Sequence, residues 1–274
     1  MKQYDCKPTL NDNEVLEFCK NGFSMFEGVI SDEVNRRTID FLDEHRGTEP
    51  VELLEEDWFI ESVIKNPEVS GAIRSLLGKG FGLPNLISNH RIQCPQPAQE
   101  WHYDGGDIFG PQLNYLQVFY YPQDCPRELG PTELLPGSHF LYAPGGMTQH
   151  YGRLRGSVYA TSPAGSIFIT DYSIWHRRSE SWGSGLRNNV KYNYWRTSEP
   201  KRDWITDSDF DFATADYRLN GETYRRQFQD TYDAAEMYFW LRGEHEKFKI
   251  IGGQGWPMPG HRNDVPYGVP ENVQ

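Results

Sequence analysis

Leu186-Arg187-Asn188-Asn189-Val190-Lys191-Tyr192-Asn193-Tyr194-Trp195 reads as a β-strand with two unlike faces. Successive side chains of a strand point to opposite sides, so Arg187, Asn189, Lys191 and Asn193 share one face and Val190, Tyr192 and Tyr194 the other. Further β-rich runs lie upstream at 86–93, 113–121, 157–161 and 166–170. Turn-forming clusters part them: Pro95-Gln96-Pro97, Gly105-Gly106, Pro144-Gly145-Gly146 and Gly183-Ser184-Gly185. Short strands at such spacing predict a sandwich or jelly-roll barrel, not alternating βα units.

The first third is mainly helical by its signals. Asn11-Asp12-Asn13, then Val15, Leu16, Phe18 and Cys19, then Gly22, predict a short capped helix with a glycine stop, followed by a strand at Phe23–Phe26. Ser31 caps a second helix that opens on Asp32 and Glu33, and Val34, Thr38, Phe41 and Leu42 fall on one of its faces. Asn66-Pro67 starts a third, with Val69, Ile73, Leu76 and Leu77 as its apolar stripe and Gly78 as its end. Beyond Lys201 the chain is polar, with a helix expected over 222–242 and a Pro/Gly-rich tail from Gly252. The organisation expected is one domain over 1–274: helical N-terminal part 11–80, β core about 80–200, C-terminal extension 201–274.

Lys+Arg 27 against Asp+Glu 39 leaves a net charge of -12, which repels phosphate backbones and anionic membrane surfaces. Nucleic acid and membranes are thus set aside as partners, and no obligatory protein partner is implied. Cys6, Cys19, Cys94 and Cys125 show no C-x-x-C spacing and read as free thiols of a reducing compartment. The first ten residues lack an apolar signal core, and no stretch has the ~18 apolar residues of a membrane span. The expectation is a cytoplasmic protein.

The chemistry concentrates in Trp101-His102-Tyr103-Asp104, with His176 and Arg187 downstream. His102 and Asp104 share a strand face, and with a distant His176 they supply two imidazoles and one carboxylate to one side of a mononuclear iron. Three coordination positions then remain open, as oxygenase chemistry requires and a closed structural site forbids. Arg187, at the end of its strand, suits a bidentate, charge-assisted grip on a carboxylate. Asn89, Arg91 and Gln93 share a face upstream and offer further donors to an acid. Trp101, Phe109, Tyr115, Trp175 and Trp195 are candidates to line a small-molecule pocket, and Arg177 with Arg178 hints at an anion. The rival reading is a non-catalytic, cupin-type protein that holds Zn2+ or another ligand with the same residues. Arg187 separates the two, since such a protein has no use for a carboxylate-binding cation beside the metal.

The run Gly130-Pro131-Thr132-Glu133-Leu134-Leu135-Pro136-Gly137-Ser138-His139 resembles the P-G-S-H segment of the phytanoyl-CoA dioxygenase family, with Leu129 where relatives carry Asn. The His176 to Arg187 interval and Asn21-Gly22-Phe23 resemble the same family. The resemblance spans roughly residues 11–200. It implies a mainly β fold with flanking helices, a double-stranded β-helix of jelly-roll or cupin-like type with the N-terminal helices packed on one sheet. It also implies Fe(II) on His102, Asp104 and His176, the cosubstrates 2-oxoglutarate and O2, and Arg187 on the distal carboxylate of 2-oxoglutarate. Tyr103 fills the variable place of H-x-D, Tyr120 falls where relatives carry a Trp lining the cosubstrate, and Asn89 falls near its keto-acid end. The activity implied is hydroxylation of a small molecule with release of succinate and CO2. Asp104 favours this over halogenation, in which relatives replace the carboxylate by a small residue. Desaturation, cyclisation and epimerisation would use the same residues. The chain departs from the family at Arg178, two residues after His176, where relatives often carry a small or hydroxyl side chain. His139, in the P-G-S-H turn, is expected to be structural.

Overall fold

The computed structural model describes residues 2–104, 110–141, 152–212, 214–215 and 224–248. The Gly105-Gly106 and Pro144-Gly145-Gly146 turns, Phe109 and the tail from Gly252 lie outside the described residues.

The helical start follows its caps. Helix α1 (Asp12–Asn21) has Asn11 as N-cap, its side chain accepting from Glu14 N while the Glu14 carboxylate accepts from Asn11 N. Gly22 closes it at φ 80°, a left-handed conformation that glycine adopts without a Cβ penalty. A Cβ there would also run into the His139 ring. Ser31 caps α2 (Asp32–Glu44), and Asn66 caps α4 (Pro67–Leu77) before Gly78 ends it. Between them a short α3 (Asp57–Phe59) leads into a π-helical turn, Ile60–Ile64, that the apolar pattern does not announce.

The strands are β1 (Gln3–Tyr4), β2 (Phe23–Phe26), β3 (Phe81–Gly82), β4 (Ile87–Asn89), β5 (Ile92–Gln96), β6 (Tyr115–Tyr121), β7 (Thr132–Leu134), β8 (Val158–Tyr159), β9 (Ser166–Asp171), β10 (His176–Arg178), β11 (Ser181–Arg187) and β12 (Val190–Trp195). A seven-stranded sheet runs β1-β3-β12-β6-β9-β2, with β4 also on β12, and two smaller sheets run β10-β7-β8 and β11-β5. The fold is thus mainly β with helices.

Alternation divides the large sheet's two faces. Leu116, Val118 and Tyr120 of β6, Ile167 and Ile169 of β9, and Val190, Tyr192 and Tyr194 of β12 join Val15, Leu42 and Ile73 of the helices in the main core. Each such aliphatic side chain, fully buried, contributes about 1.5–3 kcal/mol. The intervening residues face the other way: Phe119 is the register partner of Lys191 on one side and Phe168 on the other. There the small sheets come into contact, since Tyr121 of β6 bonds Thr132 of β7, and the Phe119 ring meets that of His176 on β10 at 5.3 Å. The N-terminal helices therefore cover one face of the sheet, and a second interior, with the apolar cluster Phe119, Tyr121, Cys125, Ala160 and Phe168, lies against the other.

Three turn or strand expectations change. Gly183-Ser184-Gly185 is not a turn but part of β11, paired to β5 with a register shift between Ser181 and Gly185. Pro95 sits within β5, which among the described residues pairs with β11 alone, and an edge strand tolerates a residue without an N–H. The run 86–93 breaks into β4 and β5. Cys6, Cys19, Cys94 and Cys125 are free thiols. Among the described residues no helix is long and apolar enough to cross a membrane.

The segment after Lys201 is joined to α1 through one carboxylate. Asp12, fully buried, accepts from Trp204 Nε1 at 2.7 Å, Tyr238 Oη at 2.7 Å, Asp207 N at 2.9 Å and the Arg202 guanidinium. Burial alone would raise its pKa, but these donors hold it below the usual carboxylate value. Tyr238 lies on helix α5 (Tyr224–Leu241), close to the range expected from sequence.

Candidate metal centre

His102 and His176 meet through the backbone before their rings do. His102 N donates to His176 O at 3.0 Å and His176 N donates to His102 O at 2.8 Å, an antiparallel bridge between a loop residue and the first residue of β10. Directly opposed residues place their side chains on the same face, and the two imidazole centroids lie 4.5 Å apart. His102 Nδ1 is 2.8 Å from Glu100 O and His176 Nδ1 is 3.1 Å from Ile174 O. A carbonyl only accepts, so each Nδ1 carries the hydrogen and each Nε2 offers its lone pair. This is the orientation that backbone carbonyls impose on metal-ligating histidines.

Asp104 completes the cluster, the ligand atoms of His102, Asp104 and His176 all lying within 4.8 Å of one another. His176 Nε2 is buried with no hydrogen-bond partner, although Asp104 Oδ2 is only 3.3 Å away. Two acceptors facing each other at that distance leave a place that only a cation satisfies, and two imidazoles with one carboxylate are a donor set suited to Fe(II). Burial pushes the Asp104 pKa up, yet His176 and Lys191 together hold it far below the ordinary carboxylate range. Burial and the neighbouring His176 lower that of His102, keeping its imidazole neutral. Lys191 Nζ lies 2.5 Å and Gln117 Nε2 2.7 Å from Asp104 Oδ2, and Lys191 also stands over the Phe119 ring.

Arg187 is 1% exposed. Its Nη2 donates to Tyr121 Oη at 2.9 Å, while its Nε is buried and unpartnered. Tyr121 Oη also accepts from Thr132 N at 3.0 Å, so both its lone pairs are occupied and its own hydrogen goes to Thr132 Oγ1 at 2.7 Å. No carboxylate among the described residues pairs with Arg187. His90, whose pKa burial and the charges of Lys191 and Arg187 lower to about 4, stands near both cations.

Strand parity decides which other candidates reach this interior. Tyr120 is on the helix side of β6, its hydroxyl donating to Asn35 Oδ1 at 2.8 Å; the inward tyrosine is Tyr121. Asn89 stands opposite Val190, its amide donating to Asn188 Oδ1 and accepting from Asn189 N. Tyr103 packs against the buried pair Trp101 and Trp175 with Leu135, Leu141 and Leu154. Arg91 pairs with Asp43 at 2.5 Å, and Gln93 donates to Gly185 O. Arg177 is no anion site: Glu133, fully buried, takes its Nε at 2.7 Å. Tyr115 is about half exposed. His139 donates from Nε2 to Cys19 O at 3.0 Å and packs its ring, tilted, against Phe140, a structural role. The sequence reading overlooked Tyr121, Thr132, Gln117, Phe119 and the Lys191–Asp104 contact. Counting by twos along 113–121 would have placed Gln117, Phe119 and Tyr121 together.

No protein-family model and no curated protein sequence matches the chain. Solved structures do. HygX from Streptomyces hygroscopicus with nickel, 2-oxoglutarate and hygromycin B bound is 12% identical at a TM-score of 0.53, over 69% of this chain and 87% of that one. The epimerase SnoN in complex with Fe3+, alpha-ketoglutarate and nogalamycin RO is 16% identical at 0.54, over 66% and 82%. The non-heme monooxygenase ThoJ, in its apo form, is 14% identical at 0.54, over 86% and 99%. The chain therefore shares its fold with iron- and 2-oxoglutarate-dependent non-haem enzymes, and its His-Asp-His cluster fits Fe(II).

Proposed function

We propose that the chain is an iron(II)- and 2-oxoglutarate-dependent dioxygenase of the phytanoyl-CoA dioxygenase type, with a double-stranded β-helix core, that hydroxylates a small molecule. The observation that carries this reading is the pairing of an acid-less, buried Arg187 with a three-ligand cluster in one interior. A structural zinc protein has no need of the first, and an anion-binding protein has no need of the second.

His102, Asp104 and His176 hold one side of the metal and leave the other for ligands. When bound, iron(II) with 2-oxoglutarate and O2 supplies the oxidising power: one oxygen atom goes to succinate as CO2 is lost, and the other goes to a substrate C–H bond. Arg187, fixed by Tyr121, receives the cosubstrate's distal carboxylate. Gln117 orients the Asp104 carboxylate, Lys191 offsets its charge, and Phe119 packs its ring edge against that of His176. The bound compounds of HygX and SnoN support a small-molecule substrate. SnoN also supports epimerisation as a second outcome on the same residues, told apart by whether the product gains oxygen.

Anaerobic addition of Fe(II) and 2-oxoglutarate should give a weak visible charge-transfer band, and admission of air should give slow succinate release. His176→Ala should lose both. Neither band nor succinate from the intact protein would refute the reading.

A further inference from the structure

Arg178 is, after Arg187, a second guanidinium of this interior with buried nitrogens that lack a partner. It lies two residues after His176 on β10, so the two side chains share a face, and it stands opposite Thr132 of β7. Its Nε and Nη1 are buried without a hydrogen-bond partner. Arg177, between them, turns to the other face and meets Glu133.

Thr132 links this arginine to Arg187. Its hydroxyl accepts from Tyr121, which accepts from Arg187 of β11, and its register partner on β10 is Arg178. Arg178 feels the like charge of Arg187 as well as its own burial. With the Tyr121 oxygen saturated, the Thr132 hydroxyl hydrogen is left to donate. Arg187 Nε and Arg178 Nε and Nη1 are thus buried donors without an acceptor, joined through Thr132, which is the register partner of one arginine and bonds the tyrosine that the other bonds. Like charges whose donor nitrogens are buried without an acid are costly, and one carboxylate accepting from both relieves that cost.

We propose that Arg178 and Arg187 form a two-guanidinium clamp on the distal carboxylate of the dicarboxylate cosubstrate, with the Thr132 hydroxyl as a third donor. The inference rests on the 2-oxoglutarate reading and adds a residue and a selectivity to it. An ordinary single-arginine site asks for a carboxylate; this one discriminates more sharply against 2-oxo acids that lack it.

The test is binding by equilibrium dialysis under argon, with Fe(II)-loaded and metal-free protein. The probes are 2-oxoglutarate, glutarate, which keeps both carboxylates but cannot chelate, and 2-oxobutyrate, which chelates but lacks the distal carboxylate. Arg178→Met should weaken 2-oxoglutarate and glutarate by about tenfold or more, leave 2-oxobutyrate and Fe(II) binding nearly unchanged, and be partly rescued by Arg178→Lys. Circular dichroism confirms that each variant is folded. Wild-type affinity for 2-oxoglutarate in Arg178→Met, with a loss in Arg187→Met, overturns the clamp and leaves the function standing. An equal loss for 2-oxobutyrate also overturns it, because Arg178 would then act away from the distal carboxylate. No 2-oxoglutarate binding by the intact protein, or none lost in Arg187→Met, overturns the cosubstrate reading itself.

Discussion

Tyr121 and Arg187 are joined twice: the phenolic oxygen accepts from Nη2 at 2.9 Å, and the guanidinium stands 5.2 Å from the centre of the ring. Tyr120, one residue earlier, turns its hydroxyl to the opposite side of the sheet, where it bonds Asn35 and Thr38 of α2. Neighbouring residues of identical chemistry therefore serve the site and the core separately.

Replacing each tyrosine by phenylalanine should separate the two roles. Tyr121→Phe strands Thr132 N and Arg187 Nη2, costing about 1–3 kcal/mol for unsatisfied buried donors, and should weaken 2-oxoglutarate binding several-fold. Tyr120→Phe should lower the thermal midpoint and leave cosubstrate affinity alone. Thermal unfolding and equilibrium dialysis on both variants check this, and equal losses of affinity would contradict it.

Lys191 competes with a metal for Asp104 Oδ2. Removing its charge while keeping much of its bulk, as Lys191→Met does, deepens the negative potential at the ligand cluster. Affinity for Fe(II) or Mn(II) should rise several-fold in metal titrations of the apo protein. A fall would show instead that Lys191 is needed to aim the carboxylate.

Asp171 makes stability depend on pH with a definite sign. It ends β9 in a buried place, and burial, opposed only by a bond from Ser173 N, pushes its pKa up to about 7. An unfolded aspartate titrates near ~3.9, so between these values the folded state keeps a proton that the unfolded chain releases. Its contribution to stability is therefore greatest at low pH, falls as pH rises through that window, and levels off above about 7. Asp171→Asn removes the dependence, and the variant's melting temperature relative to wild type should climb from pH 4.5 to 8. A constant difference would mean the carboxyl ionises normally in the folded protein.

Legibility followed the range of the interaction. The ends of α1, α2 and α4 were plain because Asn11, Gly22, Ser31, Asn66 and Gly78 act within one turn of themselves. His102 and Asp104 were legible as a pair because residues two apart in an extended segment point the same way, although both lie outside the named strands and the backbone bridge to His176 supplies the third member. What stayed hidden depends on register between distant strands. Nothing local tells Tyr120 from Tyr121, since the pairing of β6 with β9 and β12 decides which of them faces inward. Arg177 finds Glu133 only through the β7–β10 ladder. Gly183-Ser184-Gly185 has turn chemistry, but β5 beside it supplies a ladder that keeps it extended. Arg178 was within reach: two residues past an inward histidine is inward again.

The P-G-S-H turn supplies no member of the His-Asp-His cluster, yet it positions His176. Ser138 Oγ accepts from Trp175 N at 2.8 Å and donates to Leu135 O at 2.6 Å, while Leu135 N donates to Trp175 O at 3.0 Å. Behind it, Gly137 N and His139 Nε2 are moored to Asn21 O and Cys19 O at the end of α1. The turn is a bracket between the first helix and the corner that presents the histidine, so the placement of His176 is inherited from the opening residues of the chain, and a serine outside the cluster governs the aim of a histidine within it.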